Sequence, residues 1–198
     1  MPSDPAPDFN LSQHFLIAMP GMEDELFARS VIYICEHTPR GVLGLCINKL
    51  ADLSMHDLFR QAKLPMNRSD LEDEPIFWGG PVQSERGFIL HPQAEDATTG
   101  LPVYASSLVT GDGLQMTTSR DILQALAEGH GPEKLLVALG YAAWESGQLE
   151  DELRRNSWLT VRADHHLIFE VPVAERYDAA MALLGVEAWR LAGTAGSA

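Results

Sequence analysis

The chain has 198 residues, of which 45% are hydrophobic and 21% are charged, as in an ordinary folded domain, so wholesale disorder is excluded. The 14 Lys and Arg residues are outnumbered by 28 Asp and Glu residues, which gives a formal net charge of −14 at pH 7. Because nucleic-acid binding relies on a basic surface that neutralises phosphates, direct DNA binding is disfavoured. An acidic surface instead supplies solubility and at most a preference for basic partners.

The cysteine content and the N-terminus indicate the compartment. The two cysteines, Cys35 and Cys46, form no CxxC pair and are too few for a secreted disulfide scaffold. The N-terminus lacks the basic start and apolar core of a signal peptide, and no apolar run approaches the roughly 20 residues that span a bilayer. We therefore predict a cytoplasmic protein with no membrane partner.

Composition divides the chain into one domain and two short tails. Residues 1–10 are rich in Pro and Asp and are predicted to be a flexible N-terminal tail, and the small residues at 193–198 predict a flexible C-terminal tail. A single domain over 11–192 falls within the usual range of domain sizes.

Short apolar and β-branched runs between turn residues predict strands, mainly in the first half of the chain. Pro39 and Gly41 supply turn chemistry between two of these runs, so residues 30–48 are predicted to form a hairpin. The predicted strands cover residues 15–19, 30–35, 42–48, 76–78, 88–90, 103–110 and 135–139.

Helices interrupt this pattern at irregular intervals. Ser54 predicts the N-cap of a helix that runs to about residue 61, and Ser119 predicts a second N-cap. Residues 148–156 have acids early and arginines late, which suits the helix dipole, and residues 175–184 have apolar residues at helical spacing. Strands with irregularly inserted helices indicate an α+β fold rather than a repeating βαβ fold.

The first candidate site is Cys35-Glu36-His37, at the end of a predicted strand. Residues i and i+2 of a strand face the same side, so Cys35 and His37 are expected to be neighbours, and a nearby imidazolium would favour the reactive thiolate. The alternative is that Cys35 is a buried core residue and that His37 bonds the backbone of a turn. Cys46 could lie across the hairpin from Cys35, depending on its register.

The second candidate site is the loop Gly79-Gly80-Pro81-Val82, which follows a predicted strand. Two glycines permit unusual dihedral angles and a close approach of the backbone to a ligand or to another segment. The spacing matches no phosphate-binding loop. Either a binding loop or a structural bend explains these residues.

The third candidate site is the segment 140–150, in which a strand is predicted to pass through a glycine-punctuated turn into a helix. It offers Tyr141, Trp144, Gln148 and Glu150 as binding residues, because loops that carry aromatic and polar groups on a rigid scaffold are frequent binding sites. Alternatively, Tyr141 and Trp144 pack in the core and Gln148 caps the turn.

The remaining motifs predict no firm catalytic residue, no metal site and no cofactor. His165 and His166 lack the HExxH spacing, and on a strand they would point to opposite faces, so a shared metal ion is disfavoured. No GxSxG nucleophile motif is present in the sequence.

At the three candidate segments the chain resembles the YqgE/AlgH family of bacterial proteins. The matching residues include the run 15–20, the triplet 35–37, the loop 79–82 and the segment 140–150. The resemblance implies an α+β fold with a bent, partly barrel-like β-sheet surrounded by helices. It implies no established reaction, and one branch of the family is described as a transcriptional regulator. The chain departs from the family at Ala143, where Gly is usual.

We therefore predict a cytosolic regulatory or protein-interaction domain rather than an enzyme, which would affect transcription indirectly through an unknown protein partner. Its predicted binding surface combines the loop 79–82 with the segment 141–150. The alternative function is a thiol-dependent redox sensor or enzyme that uses Cys35, with His37 favouring the thiolate.

Overall fold

The computed structural model describes residues 9–185. Residues 1–8 of the predicted N-terminal tail, the predicted C-terminal tail at 193–198 and residues 186–192 of the predicted domain lie outside this range. Within it, helices and strands follow one another irregularly along the chain, which confirms the predicted α+β fold.

The described residues form ten strands and five α-helices, together with two 3₁₀ turns at Ser69–Leu71 and Val173–Glu175. The strands are β1 (His14–Ala18), β2 (Val31–Thr38), β3 (Gly41–Cys46), β4 (Leu50–Ser54), β5 (Pro75–Trp78), β6 (Val82–Pro92), β7 (Ser107–Val109), β8 (Leu114–Thr117), β9 (Leu136–Glu145) and β10 (Trp158–Arg162). The helices are α1 (Met55–Ala62), α2 (Arg120–Ala127), α3 (Gln148–Arg154), α4 (His165–Phe169) and α5 (Arg176–Leu183).

The strands form one curled sheet, a half-barrel in the order β10-β1-β2-β3-β9-β6-β8-β7, in which all neighbours are antiparallel. Strand β5 lies beside this path, parallel to the first half of β9, and also pairs with β4. Strand β9 is central, because its first half pairs with β5 and β6 and its second half pairs with β3. The bent, partly barrel-like sheet implied by the family resemblance is confirmed.

Both faces of the central strands are buried, which explains their continuous apolar sequences. In β2, Val31, Tyr33 and Cys35 point into a first core, while Ile32 and Ile34 point into a second core on the opposite face. Helices α4 and α5 cover the first core, and α3 covers the second. Helices α1 and α2 cover a third core against β5, β6 and β9.

Most predicted elements are confirmed, but the strand predicted at 103–110 is shorter than expected. The hairpin at 30–48 forms as β2 and β3, and Ser54 caps α1 with its side-chain oxygen. The strand predicted at 103–110 shortens to Ser107–Val109, because Ser106 has a left-handed backbone (φ 50°) that ends the extended run. Strands β4, β8 and β10 were not predicted.

Candidate functional site

The two segments predicted as a binding surface lie side by side in the sheet. A turn was predicted at Gly140, but strand β9 continues through Gly140 to Glu145 before the chain enters α3. Val82, the first residue of β6, pairs with Tyr141 of β9. Ala143 lies in the same strand with an ordinary strand backbone, so the departure from Gly at this position has no conformational consequence.

Three glycines let these two segments approach closely. The Gly79 amide donates a hydrogen bond to the Leu139 carbonyl oxygen (2.8 Å), and a Cβ atom on Gly80 would lie 2.1 Å from the carbonyl carbon of Tyr141. A Cβ atom on Gly140 would lie 2.3 Å from the Gly80 oxygen, and its φ of +70° also favours glycine. Backbone packing against β9 therefore accounts for the glycines of the loop.

A cavity of about 780 Å³ opens between the loop that follows β1, the end of β9 and helix α3. Three of the residues predicted as a binding surface line it, namely Pro81, Trp144 and Gln148. We call it the indole cavity, because two tryptophan rings form part of its wall. Its apolar wall includes Met19, Met22, Phe27, Pro81, Trp144 and Trp158.

Aromatic rings pack against one another in this wall. The ring centroids of Trp144 and Trp158 lie 5.8 Å apart with an interplanar angle of 82°. Phe27 lies 5.7 Å from Trp158 and 6.4 Å from Trp144, and Trp78 packs behind it at 5.7 Å. Such aromatic pairs contribute about 0.5–1.5 kcal/mol each beyond the burial of area. The cavity wall is therefore held in shape by its own contacts.

Glu152, on α3, fixes the two indole rings. Its Oε2 atom accepts hydrogen bonds from Nε1 of Trp144 (2.9 Å) and of Trp158 (2.8 Å), and its Oε1 atom accepts one from the Gln148 side-chain amide (3.0 Å). Gln148 in turn accepts a hydrogen bond from the Glu145 amide (3.0 Å), which ties α3 to the end of β9. Sequence reasoning missed Glu152, although residues four apart on a helix share a face, and Gln148 was already a candidate.

Glu150 and Tyr141, which were also predicted as binding residues, do not line the indole cavity. Because the Leu11 amide donates to Nδ1 of His37 (3.0 Å), the ring proton lies on Nε2 and is donated to Glu150 (3.1 Å). His37 therefore joins the start of the described chain to α3. Tyr141 faces the first core, where its ring packs against Phe88 with centroids 5.2 Å apart.

The prediction that Cys35 and His37 share a face is wrong, because a β-bulge follows Ile34. The extra residue shifts the alternation of side chains by one position. His37 pairs with Val42, whose side chain lies in the second core, whereas Cys35 lies in the first core. The sheet itself therefore separates the thiol from the imidazole.

Both cysteines are free and buried. Cys35 is 2% exposed, and burial, with the nearby Asp112 carboxylate, raises the pKa of its thiol well above the ordinary range. Cys46 pairs with Ile32 rather than with Cys35, and burial raises the pKa of Cys46 to about 11. Thiols in this setting stay protonated at neutral pH, and the protonated form is a poor nucleophile.

A second carboxylate, Asp112, joins distant segments on the face of the first core. It lies at the tip of the β7–β8 hairpin and accepts hydrogen bonds from the hydroxyl groups of Tyr33 (2.9 Å) and Thr110 (2.5 Å) and from Nε2 of His165 (3.1 Å). Burial alone would raise its pKa, but these hydrogen bonds outweigh burial and hold the pKa of Asp112 below its usual range. We call these four residues the Asp112 network.

The structure also bears on metal and membrane binding. Within residues 9–185, no group of three or more His, Cys, Asp or Glu side chains could hold a metal ion. His165 and His166 were considered on a strand, but they lie in helix α4. The Asp164 side chain caps this helix by accepting a hydrogen bond from the His166 amide (2.9 Å). None of the helices in the described part of the chain is long and apolar enough to cross a membrane.

The fold and the indole cavity define a class of protein, an α+β domain whose curled antiparallel sheet presents an aromatic cavity on one face. The family model described as AlgH-like matches residues 15–189. The chain therefore belongs to the AlgH-like family, and the predicted resemblance is confirmed.

Individual relatives cover almost the whole chain. A UPF0301 protein of Albidiferax ferrireducens is 57% identical over 192 residues, which span 96% of each chain. The solution structure of the AlgH protein from Pseudomonas aeruginosa has 45% sequence identity and a TM-score of 0.75, and the match covers 99% of this chain and 100% of that one. A crystal structure of a protein from Corynebacterium diphtheriae, at 24% identity and a TM-score of 0.65, covers 90% of this chain and 87% of its own and shows the same fold.

Proposed function

We propose that this protein is a cytoplasmic regulatory domain that binds a segment of another protein in the indole cavity. The observation that carries the proposal is the cavity itself, whose volume of about 780 Å³ falls within the range of roughly 300–1,000 Å³ that is usual for binding sites. Aromatic residues are enriched in protein interfaces because they offer large and rigid contact areas.

A shallower depression continues the indole cavity along α3 and suits an extended polypeptide. It has a volume of about 540 Å³ and shares Gln148, Glu152 and Arg155 with the indole cavity. We call the indole cavity and this depression together the α3 groove. A groove of this shape can contact several consecutive residues of a partner, which favours a protein segment over a small metabolite.

The side chains of the α3 groove favour binding over catalysis. The described residues that line it include no His, Cys or Lys. The carboxylate of Glu152 already accepts three hydrogen bonds from the protein itself. General acid–base catalysis needs a group that can exchange a proton with the substrate. The other carboxylates of the groove are exposed to solvent rather than enclosed beside a substrate, so we propose no reaction for it.

We propose that any effect on transcription is indirect. The net charge of −14 opposes the phosphate contacts on which DNA binding depends, so a partner protein would make the contact with DNA. We do not propose the thiol-dependent alternative, because Cys35 is buried and His37 lies on the other face of the sheet.

Affinity capture from a lysate of the native cell, with the full chain as bait, tests the proposal. Gly21 lines the indole cavity, and a Cβ atom on Gly21 meets nothing within 4 Å, so Gly21→Phe should fill the cavity without disturbing the fold. Gly87→Phe is the matched control, since a Cβ atom there also meets nothing within 4 Å and Gly87 lies outside the α3 groove. We expect partners that the parent chain and Gly87→Phe retain and that Gly21→Phe loses.

A second pair of variants uses two neighbouring positions on α3. Gln148 lines the α3 groove, whereas Glu150 bonds His37 and does not line it. We expect Gln148→Ala to reduce recovery of the same partners and Glu150→Ala to leave it unchanged. Equal recovery by all four variants would contradict the proposed function.

A further inference from the structure

Carboxylates outnumber cationic groups around the α3 groove. The five carboxylates that line it belong to Glu23, Asp24, Glu145, Asp151 and Glu152, and the two guanidinium groups belong to Arg154 and Arg155. Arg154 pairs with Asp151 at 2.7 Å, so one charge of each sign is neutralised within the protein. The charge that remains towards a bound segment is negative.

The aromatic wall adds to this preference for a cation. The faces of aromatic rings are electron-rich and attract ammonium and guanidinium groups. The chain uses this chemistry at the back of the same cluster, where Nζ of Lys49 lies 5.9 Å from the ring centroid of Trp78. Trp78 packs on Phe27, which lines the indole cavity.

Glu152 has room for one more hydrogen-bond donor. An ionised carboxylate offers about four lone-pair sites. Its Oε2 atom accepts the two indole hydrogen bonds, whereas its Oε1 atom accepts, among residues 9–185, only the hydrogen bond from Gln148. The indole hydrogen bonds hold the carboxylate in place, so Oε1 can accept a hydrogen bond from a ligand without a rearrangement of the side chain.

We infer that the occupant of the α3 groove is a basic segment of the partner protein, in which an Arg or Lys side chain enters the indole cavity and donates a hydrogen bond to Glu152. This inference rests on the proposed function and names the class of partner. The net charge of −14 attracts such a segment over a long range, so binding should weaken as salt is added. Among the described residues of the groove, an acidic segment would find one cation outside an ion pair, Arg155, and an apolar segment would leave the carboxylates unpaired.

Selection from a phage-displayed library of random peptides tests the inference. Peptides of about twelve residues are long enough to span the groove. The full chain is the target, and the Gly21→Phe variant serves for counter-selection. We expect the enriched peptides to carry Arg or Lys next to apolar residues.

The outcomes separate the two proposals. Enriched peptides that are neutral or acidic would overturn the inference and leave the proposed function standing, because their binding would still depend on the indole cavity. If no peptide distinguished the full chain from Gly21→Phe, both proposals would be overturned.

Charge reversal in solution provides the second measurement. Glu23 lines the α3 groove, whereas Glu25 is also exposed on the same loop but does not line it. With a labelled peptide from the selection, we expect Glu23→Lys to weaken binding about tenfold at low salt and Glu25→Lys to change it by less than about threefold. Equal effects of the two variants would show that only the overall charge matters, and the inference would fail.

Discussion

Two carboxylates of this protein each accept hydrogen bonds from three side chains, but their surroundings differ. The donors to Asp112 are the side chains of Tyr33, Thr110 and His165. The donors to Glu152 are the side chains of Trp144, Trp158 and Gln148. The side chain of Asp112 is only 10% exposed, and its donors enclose it on the face of the first core. Glu152 lines a cavity of about 780 Å³.

The difference suggests two uses of a carboxylate that accepts several hydrogen bonds: stability around Asp112 and, in the function that we propose, binding beside Glu152. A charged acceptor can fix donors from segments that are far apart in the sequence, because hydrogen bonds to charged groups are stronger than neutral ones. Where the donors enclose the acceptor, as around Asp112, the hydrogen bonds hold strands and helices against one another. Where space remains in front, as beside Glu152, the same bonds shape a surface that a partner can contact.

The largest expected effect is the loss of stability in Asp112→Ala. The substitution leaves the buried Tyr33 hydroxyl group without its acceptor, whereas the Thr110 hydroxyl group can still donate to the Leu114 carbonyl oxygen (3.0 Å). An unpaired buried donor costs about 1–3 kcal/mol, and the hydrogen bonds from Thr110 and His165 are also lost, so we expect the free energy of unfolding to fall by about 2–3 kcal/mol. Urea denaturation measures it. A decrease in the free energy of unfolding smaller than about 1 kcal/mol would show that the Asp112 network does not hold the elements together.

Glu152→Ala removes the acceptor of the two indole hydrogen bonds, and we expect a loss of stability of about 1–2 kcal/mol. This loss is smaller than that of Asp112→Ala, because water in the cavity can reach the indole N–H groups. The tryptophan emission should shift to longer wavelength as the rings lose their orientation. Glu150→Ala is the control on the same helix, and we expect its emission to match that of the parent chain. An unshifted emission in Glu152→Ala would mean that aromatic packing alone positions the rings.

Acid titration sharpens the comparison at Asp112. Hydrogen bonds hold its folded-state pKa below the unfolded value of about 3.9, so its contribution to stability is complete above that value and is lost as the pH falls through the folded-state pKa. The free energy of unfolding, measured from neutral pH down to about pH 3, should therefore fall more steeply for the parent chain than for Asp112→Asn. Parallel curves for the two proteins would contradict this account.

The smallest expected signal is the reaction of Cys35 with iodoacetamide. Burial raises the pKa of this thiol, so very little thiolate should form near neutral pH. We expect alkylation in the native protein to be at least about 100-fold slower than in urea, as followed by mass spectrometry of the Cys35 peptide. Alkylation at the rate of the unfolded chain would reopen the thiol-dependent function.

Local sequence predicted much of the fold. The hairpin at 30–48 has strong apolar runs and turn residues between them, so neighbouring residues determine it. The β-bulge after Ile34 depends on the register with β3, and the passage of β9 through Gly140 depends on the close approach of Gly80. Neither contact can be recognised from neighbouring residues in the sequence, so the bulge and the continuation of β9 were not predicted.

The candidate site shows the same limit. Trp144 and Gln148 were predicted because they lie together in one motif-like segment. Glu152, which connects them, also accepts a hydrogen bond from Trp158, and Trp158 lies on β10, a strand that was not predicted. The Asp112 network joins β2, the β7–β8 hairpin and α4, and no spacing in the sequence relates these segments.

The central claim is that partners bind at the indole cavity and not at the Asp112 network. The most direct test is a ¹H–¹⁵N NMR titration of the full chain with a peptide from the selection. We predict that the indole Nε1–H signals of Trp144 and Trp158 and the side-chain amide signals of Gln148 shift together, while the backbone amides of Gly111 and Gly113, on either side of Asp112, stay in place. Shifts around Asp112 with unmoved indole signals would contradict the account.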